Sequence, residues 1–152
     1  MTTDFQTHLE KQHARLGDFI VLLDREQSIL TAAPVAIDAL SDITENKRKL
    51  AAELEQLEAQ RQQRVIAHGE AADRAGAQAL SERLGCSDLW RDFIALVDQA
   101  STQNRLNGLH IGTRLDHTQR TLGFLRQISA QSLYSADGQR APSSGRRISS
   151  GA

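Results

Sequence analysis

Glu10 and His13 stand at the Glu-x-x-His spacing that sets two potential metal ligands on one face of a helix. A carboxylate-bridged metal bundle needs two such pairs and two further inward-facing glutamates. The chain holds no second pair, so His13 is expected to be a polar interruption of an apolar stripe. His110 and His117, seven apart, can share a face, but no third ligand lies near them. Cys86 sits close to an expected helix start, where a thiolate is favoured. It has no recognisable base beside it, which leaves it a reactive thiol at most or simply a buried side chain. Neither Gly-x-Ser-x-Gly nor Gly-x-x-x-x-Gly-Lys-Ser/Thr occurs. No catalytic residue, metal or cofactor is expected, and the chain does not read as an enzyme.

Charge points the same way. The formal net charge is -1, yet beyond residue 100 Arg105, Arg114, Arg120, Arg126, Arg140, Arg146 and Arg147 face only Asp116 and Asp137. These arginines are spread around a helix with no aromatic residues among them, so a solvated surface is expected and no nucleic-acid partner. Cys86 is alone and excludes an intrachain disulfide, the N-terminus lacks a signal-peptide pattern, and no apolar run approaches the ~20 residues that span a bilayer. A cytoplasmic location and no stable membrane insertion follow as expectations.

The elements are helical throughout. With no strand alternation and only two prolines, Pro34 and Pro142, the expected fold is all-α: an elongated antiparallel bundle of three long helices plus a short connector helix, with coiled-coil-like packing. Asp4 is placed to cap a first helix with the stripe Phe5, Leu9, Leu16, Phe19, Ile20, Leu23, Leu30, in which Leu9, Leu16, Leu23 and Leu30 recur every seventh residue. Gly17 is its weak point. Pro34 fits the first turn of a second helix bearing Leu40, Ile43, Lys47, Leu50, Leu54, Leu57, Arg61 and either Arg64 or Val65 on one face. Lys47 and the arginines either fix register in that seam, at some cost in stability, or snorkel to water from its ends. A short helix near 77–84 should stop at Gly85, with Ser87 capping the next.

The stretch from Leu89 to Tyr134 reads as one long helix with Trp90, Ile94, Val97, Ser101, Asn104, Gly108, Ile111, Leu115, Leu122 and Leu125 on a stripe. Asn107-Gly108 would mark a turn in a hairpin, but the apolar spacing resumes in phase beyond it, so the helix is read as continuous. Asn104, Asn107 and Gly108 then form a polar, small-residue layer that another backbone or a side-chain amide approaches closely. In the second half Leu106, Leu109, Phe124 and Ile128 widen the apolar surface beyond what one neighbouring helix covers, and a partner is expected there. Residues 1–134 are read as one bundle domain and 135–152 as a flexible tail.

The chain resembles the FlgN family of flagellar export chaperones. The resemblance rests on Asn104-Arg105-Leu106-Asn107-Gly108 followed by Ile111 and Leu115, on Leu125 with Tyr134-Ser135-Ala136-Asp137-Gly138, and on Gly145-Arg146-Arg147-Ile148. The helix with Lys47, Leu50, Leu54, Leu57 and Arg61 and the spacer leading to Trp90 are similar too. The resemblance implies a cytosolic, non-enzymatic type III secretion chaperone that binds the C-terminal segments of hook-filament junction proteins and delivers them to the cytosolic domain of the export gate. Carried onto this sequence, it makes Ile111, Leu115, Leu122, Leu125 and Ile128 candidates for client contact and Tyr134 the candidate for gate docking. The off-stripe residues Leu109 and Phe124 join the client candidates. Each stripe residue has the alternative of packing only its own bundle. A structural helical module that self-associates through the seam of the first two helices, as a homodimer, is the competing reading.

Overall fold

The computed structural model describes residues 3–32, 34–111, 123 and 125. The chain is all-α, with helices α1 (Asp4–Thr31), α2 (Ile37–Ala67), α3 (Arg74–Arg83) and α4 (Ser87–Ile111). Three are long and α3 is the short connector. Contacts between the helices give their directions. Asp4 meets Arg64, Gln12 meets Glu58, Arg15 meets Glu53 and Glu26 meets Lys47, so α1 and α2 run antiparallel. Lys47 meets Asn104 and Arg61 lies over Trp90, so α4 runs antiparallel to α2 and parallel to α1, which it reaches through Asn107 and Leu23. α1 is therefore the central helix.

Local chemistry sets the helix ends. Thr3, not Asp4, caps α1: its Oγ1 accepts from the Gln6 backbone N–H at 3.1 Å, and Asp4 places its charge in the first turn, where the helix dipole favours an anion. Pro34 lies before α2 rather than in its first turn. The first helical bond there, from Leu40 N–H to the Ala36 carbonyl at 3.0 Å, starts the helix at Ile37 without a side-chain cap. α2 ends at Gly69 (φ 83°) and α3 at Gly85 (φ 73°), each through the same pair of backbone bonds. In both, the glycine N–H and the next N–H reach back to orphan carbonyls of the last turn, a conformation that costs a side-chain-bearing residue energy. α3 starts three residues earlier than expected because Asp73 accepts from the Gly76 N–H at 2.7 Å. Ser87 is the first residue of α4, and Cys86 occupies the cap position, its carbonyl accepting from Trp90 N–H at 3.1 Å.

The core is aliphatic with a few aromatic rings, contributed by Phe5, Leu9, Leu16, Phe19 and Leu23 of α1, Leu54 and Val65 of α2, Leu80 of α3, and Trp90, Phe93 and Val97 of α4. Val65, not Arg64, completes the buried face of α2, and Arg64 lies at the surface beside Asp4. Leu30 is only half-buried. The seam of α1 departs from leucine at Glu26 instead. The helix α4 runs unbroken through Asn107-Gly108 to Ile111, in line with the apolar spacing. Among the described residues no helix is long and apolar enough to cross a membrane.

Two glycines of contrasting surroundings test these contacts. A Cβ on Gly76 would lie 1.9 Å from the Ala71 carbonyl oxygen, whereas one on Gly17 meets nothing within 4 Å. Gly17→Ala should raise stability by roughly 0.5–1 kcal/mol, the helix-interior glycine penalty. Gly76→Ala should lower it by roughly 1–3 kcal/mol through overpacking against backbone. Urea unfolding of the two variants reads both signs.

The imidazole of His8 is buried, with Nε2 2.8 Å from the Leu57 carbonyl oxygen, so that nitrogen carries the proton it donates. Burial lowers the His8 pKa below the ordinary 6.5, against a smaller upward pull from the Leu57 bond. The unfolded chain then binds a proton that the fold resists, and the His8 contribution to stability is complete above pH 6.5 and declines as the pH falls below it. Thermal melts between pH 7.5 and 5.5 should show that decline, and His8→Gln should flatten it.

Candidate functional site

Four side chains from all three long helices meet inside the bundle. Glu26, Lys47, Asn104 and Asn107 are each at most 5% exposed. Lys47 Nζ donates to both Glu26 carboxylate oxygens, at 2.9 and 3.1 Å, and to Asn104 Oδ1 at 2.9 Å, which uses all three of its protons. Asn107 Nδ2 donates to the Leu23 carbonyl at 2.9 Å and to Glu26 Oε1 at 3.0 Å. The ammonium also stands 5.9 Å from the centre of the Phe19 ring. Gly108, the third member of the expected layer, is half-buried beside it. Among the described residues, Asn104 Nδ2 and Asn107 Oδ1 have no hydrogen-bond partner.

A second buried pair lies towards the other end. Arg61 grips Glu58 through Nε and Nη2, Gln12 donates to Glu58 Oε2 at 2.7 Å, and the guanidinium sits 4.9 Å from the Trp90 ring centre. Lys47 and Arg61 are thus held inside the seam and do not snorkel.

These clusters contain side chains the sequence reading passed over. Glu26 and Gln12 are buried polar partners, Phe93 is a core ring, and Glu58, expected on the polar faces of α2, is buried instead because Arg61 and Gln12 bond to it. The available signal was position: Glu26 follows Leu23 by three, and Gln12 lies between Leu9 and Leu16 on the same face. His13, the expected interruption of that stripe, is half-buried next to Gln12, which takes that role.

The chemistry-bearing candidates come apart in space. Glu10 is exposed and accepts from Gln6, and among the described residues no group of three His, Cys, Asp or Glu could hold a metal ion. Cys86 is buried, and burial pushes its thiol pKa up against a weaker opposing pull from a bond to Ser81, the reverse of a thiolate site. His110 is exposed at the end of α4, and His117 lies outside the described residues.

The client candidates divide sharply. Leu109 is 76% exposed and Leu106 46%, both on the outer side of the last turns of α4. Val35 and Ile37 are exposed where α1 passes into α2, and a separate shallow groove is lined by Ile29 and Ile43 with Asp24, Arg25 and Ser28. Leu125 is 0% exposed and belongs to the core cluster, so its side chain packs the bundle and is not free for a client. Ile111 ends α4, and Leu115, Leu122, Phe124, Ile128 and Tyr134 lie outside the described residues, as does the tail from 135.

The sequence as a whole matches known proteins along nearly its full length. The family model described as "FlgN protein" matches residues 1–142. "Flagella synthesis protein FlgN" of Proteus mirabilis is 29% identical over 152 residues, covering 97% of this chain and 99% of that protein. The protein of the same name from Escherichia coli K12 is 27% identical over 131 residues, 86% of each chain. That from Salmonella typhimurium LT2 is 29% identical over 143 residues, 93% of this chain and 94% of its own. No solved structure matches.

Removing one partner of the buried layer leaves the other charged and unpaired. Lys47→Met should therefore destabilise the chain by roughly 3–5 kcal/mol, because the Glu26 carboxylate stays buried without its counter-charge. Equilibrium unfolding in urea measures the loss, and Arg48→Met, on an exposed i,i+3 pair with Glu45, should cost under about 1 kcal/mol in the same assay.

Proposed function

The chain belongs to the FlgN family, and from that premise we propose that it is a flagellar export chaperone that binds the C-terminal segments of hook-filament junction proteins in the cytoplasm. It keeps those segments soluble and hands them to the cytosolic domain of the type III export gate. The observation that carries this reading is Leu109, with Leu106 one turn away: large apolar side chains of α4 exposed to solvent. Such a surface suits an amphipathic client helix laid against apolar anchors. The client segment, disordered alone, orders on binding and gives up part of the interaction energy in doing so, which favours later release to the gate. Ile111, Leu115, Leu122, Phe124 and Ile128 extend the same surface in sequence, and Tyr134 serves as the separate gate contact.

Self-association through the seam of α1 and α2 has less to support it. α4 already covers α1, and the polar groups of that seam are bonded to one another within one chain.

Calorimetry against peptides from the C-terminal segments of junction proteins tests the reading, with the mass of the chain in solution recorded alongside. Saturable one-to-one binding with a negative heat-capacity change is expected. Leu109→Asp should weaken it about tenfold or more, equivalent to ~1.4 kcal/mol, while leaving the melt unchanged because the side chain is exposed. A folded, monodisperse chain that binds no junction peptide would sink the proposal.

A further inference from the structure

The apolar seam of this bundle does not by itself specify how its helices align. Leu9, Leu16 and Leu23 repeat every seventh residue on α1, and a slip of α4 by one heptad still sets apolar side chains such as Trp90 and Val97 against that row. Such a slip moves the end of α4 by about 10 Å along the axis, at 1.5 Å per residue. Apolar burial opposes it through the size of the side chains, as with Trp90 in the place of Val97, and not through any directional bond.

The Glu26–Lys47–Asn104–Asn107 layer opposes it through directional bonds. Lys47 spends its three protons on Glu26 and Asn104, and Asn107 joins the Glu26 carboxylate to the Leu23 carbonyl. Displacing α4 by seven residues brings Val97 or Ile111 to the place of Asn104 and leaves the lysine short of an acceptor. An unmade hydrogen bond to a buried charge is costly, so only one alignment satisfies all of these groups. The same argument excludes a foreign apolar helix from the place of α4, since it would leave Lys47 and Glu26 short of partners.

We propose that this layer is the specificity device of the chaperone: it locks α4 in register against α1 and α2 and rejects client helices from the internal seam, so that Leu106 and Leu109, flanking Asn107, are presented in one fixed place for the client. This rests on the client reading above. Its residues are positioning residues, acting through α4 and not by contact with the client. Asn104 Nδ2 and Asn107 Oδ1, unpartnered among the described residues, fit such a device, which selects an alignment without maximising stability.

The test replaces the whole layer with apolar side chains, Glu26→Met, Lys47→Met, Asn104→Leu and Asn107→Leu. It reads register from the distance between spin labels at Glu55→Cys and Asp98→Cys, both exposed positions, in a Cys86→Ala chain. The quadruple variant should melt at or above the parent, show more than one interhelical distance, and bind the junction peptide at least tenfold more weakly. The charge swap Glu26→Lys with Lys47→Glu, which the two asparagine amides can serve by turning over, should restore one distance and the parent affinity. A quadruple variant with the single parent distance overturns the proposal whatever its affinity. One that unfolds overturns it as well, since the layer is then a stabiliser, and parent affinity in a chain of mixed register severs the layer from the client surface. The distances do not involve the client, so a parent chain that binds no peptide refutes the client reading while the register is still measured.

Discussion

The ion pair between Glu26 and Lys47 is the interaction around which the bundle is arranged. Both groups are removed from water at a cost of several kcal/mol per ion, and attraction across 2.9 Å offsets that cost only because other groups complete the coordination. Those other groups come from α4: Asn104 takes the third lysine proton and Asn107 binds the carboxylate. A pair between two helices thereby becomes a condition on the third. The arrangement of α1, α2 and α4 satisfies it in one alignment.

Arg61 and Glu58 impose a weaker version of the same constraint towards the other end, where Gln12 of α1 and the Trp90 ring of α4 complete their surroundings. Between the two clusters the core side chains are leucine, isoleucine, valine, alanine and phenylalanine, which supply the main burial energy with little directional preference. Apolar surface holds the helices together, and the two polar clusters decide how they are aligned. The division leaves the seam closed while the apolar side chain of Leu109 stands in solvent. Leu109 and Asn107 lie two residues apart on α4, one facing solvent and the other facing Leu23 and Glu26. The exposed Leu109 and the buried polar layer occupy opposite sides of the same turn.

Much of the fold was readable from periodicity. The three long helices, the connector stopped by Gly85, and the continuity of α4 through Asn107-Gly108 follow from stripe spacing and from glycine chemistry. Helix starts were less readable: Thr3 stands where Asp4 was expected, Ala36 starts α2 without a side-chain bond, and Cys86 precedes Ser87 at the head of α4. Several residue types can cap a helix, and the backbone carbonyl that takes the first bond is visible only once the turn is built. The candidate site was readable as a list of residue types and not as a place. Leu109 and Leu125 both read as apolar surface of one helix, yet one is exposed and the other lies in the core.

The sequence by itself determined that the chain is helical, that its core is mainly aliphatic, and that Lys47, Arg61, Asn104 and Asn107 fall on faces otherwise apolar, because helical period and residue type are local properties. It also carried the family likeness, since that likeness resides in order and spacing. Only the tertiary structure decided which polar residues answer one another. Glu26 and Asn104 are separated by about half of the chain, and no local pattern states that Lys47 meets both of them. The burial of His8, Glu26 and Glu58 was decided there too. Whether a polar side chain on a helix faces water or a partner depends on the helix that covers it, and that helix is chosen by packing across the whole bundle.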